Sequence, residues 1–178
     1  MAHHKVVLVV AHQGYQPLEY SIPKKTLTQA GFTVVTASNK AGTAMAKDGS
    51  TTPVDILIDN VNPALYAGIF FIGGPGAMES LDNPISYNLI TQTVRLGKPL
   101  GAICVAPRIL ARAGVLTDKN ATGWDGDNQL ASVFKEYGVN YVVQPVVVDD
   151  FIITAQGPAV AQSFADAIVK VLNSESKH

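Results

Sequence analysis

A single cysteine, Cys104, stands in a chain of 178 residues. That excludes an internal disulfide and any thiolate-cluster metal site, and it points to a reducing compartment, the cytosol being the default. Histidine is almost as scarce: of four, His3, His4 and His178 lie near the ends, and only His12 sits where a fold can use it. Charged side chains make up 15% of the sequence, against a usual ~25%, while apolar residues reach 47%. So sparse a charge implies that part of the surface is covered, and a second subunit is the expected cover. Thirteen Lys and Arg against fourteen Asp and Glu leave a net charge of −1, which offers no basic surface to nucleic acid or to an anionic membrane. No apolar stretch approaches the ~18 residues of a membrane span, and Met1-Ala2-His3-His4-Lys5 lacks the apolar run and small-residue cleavage site of a secretory leader.

What is present reads as one α/β domain over 1–178, with an ordered core over about 5–172. Lys5 to Ala11 (KVVLVVA) is a continuous β-branched run, the mark of a strand buried on both faces of a parallel sheet. Pro17 to Ala30 carries Leu18, Ile22 and Leu27 at helical spacing and stops at Gly31, a C-cap glycine. Phe32 to Ala37 is a second strand, and Ser38 to Pro53 with Val54 to Ile58 reads as a small peripheral hairpin region. Gly68 to Ile72 is a buried strand that runs into Gly73-Gly74-Pro75-Gly76, followed by a helix near Pro84 to Leu96. Pro99 to Ile103 is the next strand, and Val105, Ile109, Leu110 and Ala113 keep helical spacing up to Gly114. Further on, the pattern predicts a short strand over Ala121 to Trp124 and a helix over Asn128 to Tyr137. A hairpin of Val146 to Val148 with Phe151 to Ala155 turns at Asp149-Asp150, and a last helix opens at Gly157-Pro158 with Val160, Phe164, Ile168 and Val171 on one face.

In such a sheet, ligands gather outside the carboxyl ends of the strands. Three features fall on that edge: the loop from His12 to Glu19, the Gly73 to Gly76 turn, and Cys104. A cysteine at a tight strand-to-helix turn points its sulfur outward beside a helix N-terminus, which favours the thiolate and predicts a lowered thiol pKa. The competing reading is a buried, inert thiol. Glu19, entering a helix beside the same edge, is either a first-turn acid that complements the helix dipole or a carboxyl whose pKa is raised next to sulfur. His12 is a candidate base for Cys104, or a loop histidine bonded to backbone. Gly73-Gly74-Pro75-Gly76 offers oxyanion-binding N–H groups or plain turn geometry, and it lacks both the dinucleotide glycine spacing and the phosphate-loop lysine. Trp124-Asp125-Gly126-Asp127 brings two acids without further ligands, too few for a metal, so Asp127 is read as a helix cap. No metal and no cofactor is expected.

The segments GYQPLE, IFFIGGPGA, GAICVAPRILARAGVL and ITAQGPAVAQSFADAIVKVL resemble the motifs of the ThiJ/PfpI superfamily, which includes the Parkinsonism-associated deglycase. The resemblance implies a flavodoxin-like three-layer sandwich with a mostly parallel central sheet, related to class I glutamine amidotransferase folds, and usually a homodimer. It implies a nucleophile elbow at Cys104, an acidic partner at Glu19 and cysteine-facing backbone N–H groups at Gly74 and Val105. Two departures matter for mechanism. Relatives resembling intracellular proteases carry histidine directly after the cysteine, where this chain has Val105. The deglycase-like branch carries one at the position of Trp124. Only His12, Asp125 or a residue of a neighbouring subunit is left to replace it.

The reading is therefore a cytosolic, cysteine-dependent protein acting on small carbonyl or acyl compounds through Cys104 and Glu19, in the manner of a glyoxalase, deglycase or hydrolase. The alternative is a non-enzymatic redox or stress sensor whose partner is an oxidant and whose readout is a stabilised sulfinate on Cys104. A peptidase or amidase is disfavoured, because the Cys-His dyad is missing. The low charge and the implied fold predict a symmetric dimer with an apolar interface. Sedimentation at micromolar concentration should return a dimer, and a monomer there would contradict the expectation.

Overall fold

The computed structural model describes residues 4–175. His3 and His178 lie outside the described residues, whereas the carbonyl of His4 accepts the Thr33 N–H at 2.7 Å. In chain order the strands are β1 (Lys5–Val10), β2 (Gln13–Tyr15), β3 (Thr33–Ser38), β4 (Thr43–Ala46), β5 (Thr51–Pro53), β6 (Ile56–Leu57), β7 (Gly68–Phe71), β8 (Leu100–Ile103), β9 (Asn120–Ala121), β10 (Asn140–Tyr141), β11 (Val146–Asp149) and β12 (Ile152–Ala155). The α-helices are α1 (Pro17–Gln29), α2 (Pro75–Ser80), α3 (Pro84–Arg95), α4 (Pro107–Arg112), α5 (Leu130–Glu136) and α6 (Ala161–Glu175).

The main sheet has seven strands in the order β11-β12-β8-β7-β1-β3-β6, all parallel except β11, which pairs antiparallel with β12. Its centre is dictated by β1. A run without polar alternation has no solvent face to offer, so it must lie between two helical layers. Val7, Val9 and Ala11 pack in one core with Leu89, Ile109 and Phe134 of α3, α4 and α5. Val6, Leu8 and Val10 pack in the other with Leu27 of α1 and Phe164 and Ile168 of α6. The result is the flavodoxin-like three-layer α/β sandwich. No helix among the described residues is long and apolar enough to cross a membrane.

Several elements differ from the sequence pattern for local reasons. Within 38–58, β4 and β5 form the antiparallel hairpin, but Ile56 and Leu57 leave it and pair with Ala37 and Ser38 at the edge of the main sheet. β2 docks on β4 to complete a three-stranded peripheral sheet. The strand over Ala121 to Trp124 is confined to β9, because the Trp124 N–H turns away to the Cys104 carbonyl at 2.8 Å. At Gly157-Pro158 a 3₁₀ turn (Pro158–Val160) precedes α6. Asp127 caps the turn that leads into α5, its Oδ1 accepting the Gln129 N–H at 3.1 Å, but it takes no N–H of the helix itself. Its carboxylate accepts both terminal nitrogens of Arg108, at 2.9 and 2.7 Å, and Asp125 Oδ1 takes the Leu130 N–H at 2.8 Å instead. A guanidinium that is 8% exposed demands a bidentate partner more strongly than a helix end demands a cap.

The loops at the carboxyl edge are pressed together at glycines. A Cβ on Gly76 would stand 1.7 Å from the Gln13 carbonyl oxygen, whereas one on Gly157 would meet nothing within 4 Å. Gly76→Ala should therefore cost about 3 kcal/mol or more, and Gly157→Ala should stay within about 0.5 kcal/mol of the parent. Urea denaturation of the two variants checks this, and equal small effects would contradict the close approach.

Candidate active site

Cys104 follows the last residue of β8 and adopts φ +66°, a left-handed conformation that non-glycine residues hold only when their surroundings over-determine it. Both of its backbone groups are tied. Its N–H donates to the Ala155 carbonyl at the end of β12, at 3.0 Å, and its carbonyl accepts from Trp124. Opposite the elbow, the end of β7 runs into Gly73, where a Cβ would lie 2.6 Å from the Cys104 Cβ and 2.8 Å from Glu19 Oε1. Only a hydrogen atom fits between the thiol-bearing residue and the acid. Gly74, at φ +110°, is equally confined, for a Cβ there would lie 2.5 Å from the Gln16 nitrogen.

Glu19 reaches this point from the third position of α1. Gln16 caps the helix, its Oε1 accepting the Leu18 N–H at 2.6 Å and the Glu19 N–H at 3.4 Å. The Gln16 N–H in turn donates to the Gly73 carbonyl at 3.0 Å, locking helix to turn. The Glu19 side chain is wholly buried, unlike a first-turn acid on a helix surface. Oε1 accepts the Gly73 N–H at 3.0 Å, while Oε2 has no nitrogen or oxygen partner. A hydrogen bond between the Glu19 and Cys104 side chains enters the titration of both.

Burial pushes the Glu19 carboxyl up to about 7, against the opposing effects of the Gly73 N–H, the Cys104 hydrogen bond and the Lys47 charge. Burial, and then the charge of Glu19, push the Cys104 thiol up to about 12, and the N–H groups of Gly74 and Val105 at the sulfur offset this only in part. The expectation of a lowered thiol pKa is thus overturned. The helix begins only at Pro107, which has no N–H to give, and Cys104 is 8% exposed. Desolvation outweighs the helix end. Since the two acids share one site, these are steps of one titration: the pair releases a first proton near 7 and holds a second to about 12. Below about 7 it holds both protons, and above that it carries one proton and one negative charge.

The accessory candidates lie elsewhere. His12 is half-buried, with its Nε2 at 3.1 Å from the Ala41 carbonyl and its backbone N–H on Asn39 Oδ1 at 2.9 Å. Trp124 meets Cys104 through its backbone, while its indole lies over the Arg108 guanidinium at 5.7 Å. Asp125 is occupied by the start of α5 and by the Tyr141 hydroxyl. Among the described residues, no hydrogen bond joins the side chain of His12, Trp124 or Asp125 to Cys104 or Glu19, and no three His, Cys, Asp or Glu residues cluster to hold a metal. Two contributors escaped the sequence reading. Gln16 is not a favoured N-cap residue type, and Arg108, which also donates to the Trp124 carbonyl at 3.1 Å, clamps the loop behind the elbow through a partner 19 residues away.

The sequence profile of the DJ-1/PfpI family matches residues 4–171. A ThiJ/PfpI domain protein from Brachyspira murdochii superposes with a TM-score of 0.92 at 30% identity, covering 98% of this chain and 99% of its own. A deglycase of Pyrococcus horikoshii is 29% identical over 94% of this chain and 99% of its own length. A glutathione-independent glyoxalase of Caenorhabditis elegans is 24% identical over 99% and 92%.

The raised carboxyl has a consequence for stability. Folded Glu19 binds its proton more tightly than the reference carboxyl at 4.5, so its contribution is complete below that value and is lost as pH rises through about 7. The loss amounts to ~3 kcal/mol. Glu19→Gln keeps an acceptor for the Gly73 N–H but has no proton to lose. The unfolding free energy of the parent should fall between pH 5 and pH 8, and that of the variant should stay nearly level. The same slope in both proteins would contradict the buried acid.

Proposed function

The chain belongs to the DJ-1/PfpI family, and from that premise we propose that it converts small α-oxoaldehydes and related carbonyl compounds by a glyoxalase- or deglycase-type reaction at Cys104. The observation that carries this reading is the buried Glu19 carboxyl, whose Oε2 has no hydrogen-bond partner and whose titration is tied to that of the elbow thiol. With one proton on the pair, held on sulfur, passage of that proton to the Glu19 carboxylate would turn Cys104 into the attacking thiolate. Addition of sulfur to the aldehyde carbon makes a C–S bond and turns the carbonyl oxygen into an alkoxide. The N–H groups of Gly74 and Val105, already at the sulfur, are placed to receive that developing charge. Glu19 then gives its proton to the alkoxide and, as carboxylate, becomes the base for the former aldehyde C–H. Shift of that hydrogen to the adjacent carbon leaves a thioester, which water hydrolyses. The net change is addition of water to an α-oxoaldehyde to give a 2-hydroxy acid, with no external oxidant or reductant.

One carboxyl suffices for these steps because the electrophile needs no leaving amine. Peptide cleavage demands more: a base for the nucleophile and an acid for the amine, which an imidazole usually supplies. Here Val105 and Trp124 stand where relatives place histidine, and His12 is bonded to Ala41. A second reading draws on the same pair. Peroxide oxidation of the thiolate to a sulfinate would place an oxygen beside the Glu19 proton, making Cys104 a redox sensor. Oxidation without turnover would favour it.

Methylglyoxal supplied without any cofactor should be turned over. Cys104→Ser should abolish the reaction and Glu19→Gln should slow it by about 10²-fold or more, while peptide substrates remain intact. Turnover unaffected by Cys104→Ser, or robust peptide cleavage lost in that variant, would overturn the proposal.

A further inference from the structure

α1 contains two prolines with opposite consequences. Pro17 occupies the first position, where its missing N–H deprives the helix of nothing. Pro23 lies in the interior, buried. The N–H of residue 23 would close on the carbonyl four residues earlier, and that carbonyl belongs to Glu19. Proline has no N–H to give, and its ring crowds the same carbonyl. The one backbone group of α1 relieved of its helical bond in this way is therefore that of the buried acid.

The two halves of α1 have separate anchors. The first half is tied to the Gly73 turn by the Gln16 N–H at 3.0 Å and by Glu19 Oε1 at 3.0 Å, and to both sheets by Tyr20, whose hydroxyl lies 2.7 Å from Thr36 Oγ1 in β3 of the main sheet and 2.9 Å from Thr52 Oγ1 in β5 of the peripheral one. The second half leans on α6, where Gln162 Nε2 donates to Thr26 Oγ1 at 3.2 Å and Leu27 enters the core beside Phe164. The clearance at Glu19 is small, since even a hypothetical Cβ on Gly73 would stand 2.8 Å from Oε1. An unbroken ladder would bind the path of the first half to that of the second.

We propose that Pro23 is a positioning residue for Glu19: by withholding one hydrogen bond from the Glu19 carbonyl it frees the first half of α1 to set the carboxyl against Gly73 and the Cys104 thiol. The inference rests on the reading of Cys104 and Glu19 as a pair that shares a proton. It gives a chemical reason for a residue that otherwise weakens the helix it occupies. The titratable and charged groups acting on the pair are Lys47 on Glu19 and the two members on each other, and substitution at 23 alters none of them.

The test uses Pro23→Ala and Pro23→Val, both of which restore the N–H, the second keeping apolar volume, with Glu19→Gln measured alongside. Thermal midpoints and the pH profile of Cys104 alkylation by iodoacetamide are recorded for the full chain. Both Pro23 variants should melt at or above the parent temperature, while the inflection of the alkylation profile moves by about one unit toward that of Glu19→Gln, a tenfold change in proton affinity. Alkylation profiles of the Pro23 variants that overlay the parent, while Glu19→Gln departs from it, would overturn the positioning role alone. A Glu19→Gln profile that itself overlays the parent would overturn the shared proton and this inference with it. Lower midpoints in both Pro23 variants would make Pro23 a packing residue and would likewise overturn it.

Discussion

A carboxyl taken wholly out of water and set against a thiol must be given a partner or must keep its proton, and Glu19 does some of both. One oxygen has the Gly73 N–H and the other has no hydrogen-bond partner. Much of the local architecture follows from that requirement. Residue 73 must be glycine in effect, because any Cβ would collide with both members of the pair. The start of α1 must be fixed against the turn, which Gln16 achieves with its backbone N–H and its side chain together. The elbow must hold Cys104 in a left-handed conformation, and bonds to Ala155 and Trp124 on either side supply the restraint. A strand end, a loop, a helix cap and a glycine turn thus serve one contact.

The same contact sets the chemistry. In a site built on a Cys-His pair the imidazole accepts the thiol proton and leaves a cation behind, so the thiolate is stabilised by opposite charge. Here the partner is itself an acid, and mutual repulsion prevents both from ionising in the neutral range. In the proposed reaction a single proton moves between sulfur, carboxyl and whatever oxygen the substrate develops. That suits addition to an electrophilic carbonyl, where one group gives a proton and then takes one back.

The layers of the fold were readable from β1, whose unbroken apolar run admits no solvent face, and from the strand-to-helix rhythm that placed Cys104 at the carboxyl edge. The elements that were not readable are those made by tertiary contact. β9 and β10 are two-residue strands with no periodicity of their own, and β6 is drawn to the sheet edge by β3 rather than by its own pattern. At the site, residue pattern alone left Glu19 open between a first-turn acid and a carboxyl raised beside sulfur, and the resemblance of GYQPLE to a family motif decided for the second. Its burial and its bond to a residue 54 positions away have no local signature. Asp127 was read only in part for a similar reason: its bond to the Gln129 N–H is a local cap, whereas only the fold reveals the buried guanidinium of Arg108 that it also binds. The direction of the thiol shift failed because helix ends can be inferred from sequence whereas the depth of a side chain cannot.

The shared proton is most directly tested by following both acids in one titration, with the Glu19 carboxyl carbon observed by NMR and the Cys104 thiolate by its ultraviolet absorbance. The account predicts that the carboxyl signal moves in a step near pH 7, well above the ordinary carboxylate range, and that the thiolate signal stays incomplete until strongly alkaline pH. A Glu19 carboxyl that ionises by itself in the ordinary carboxylate range, with the thiol silent until it loses its proton alone, would contradict it.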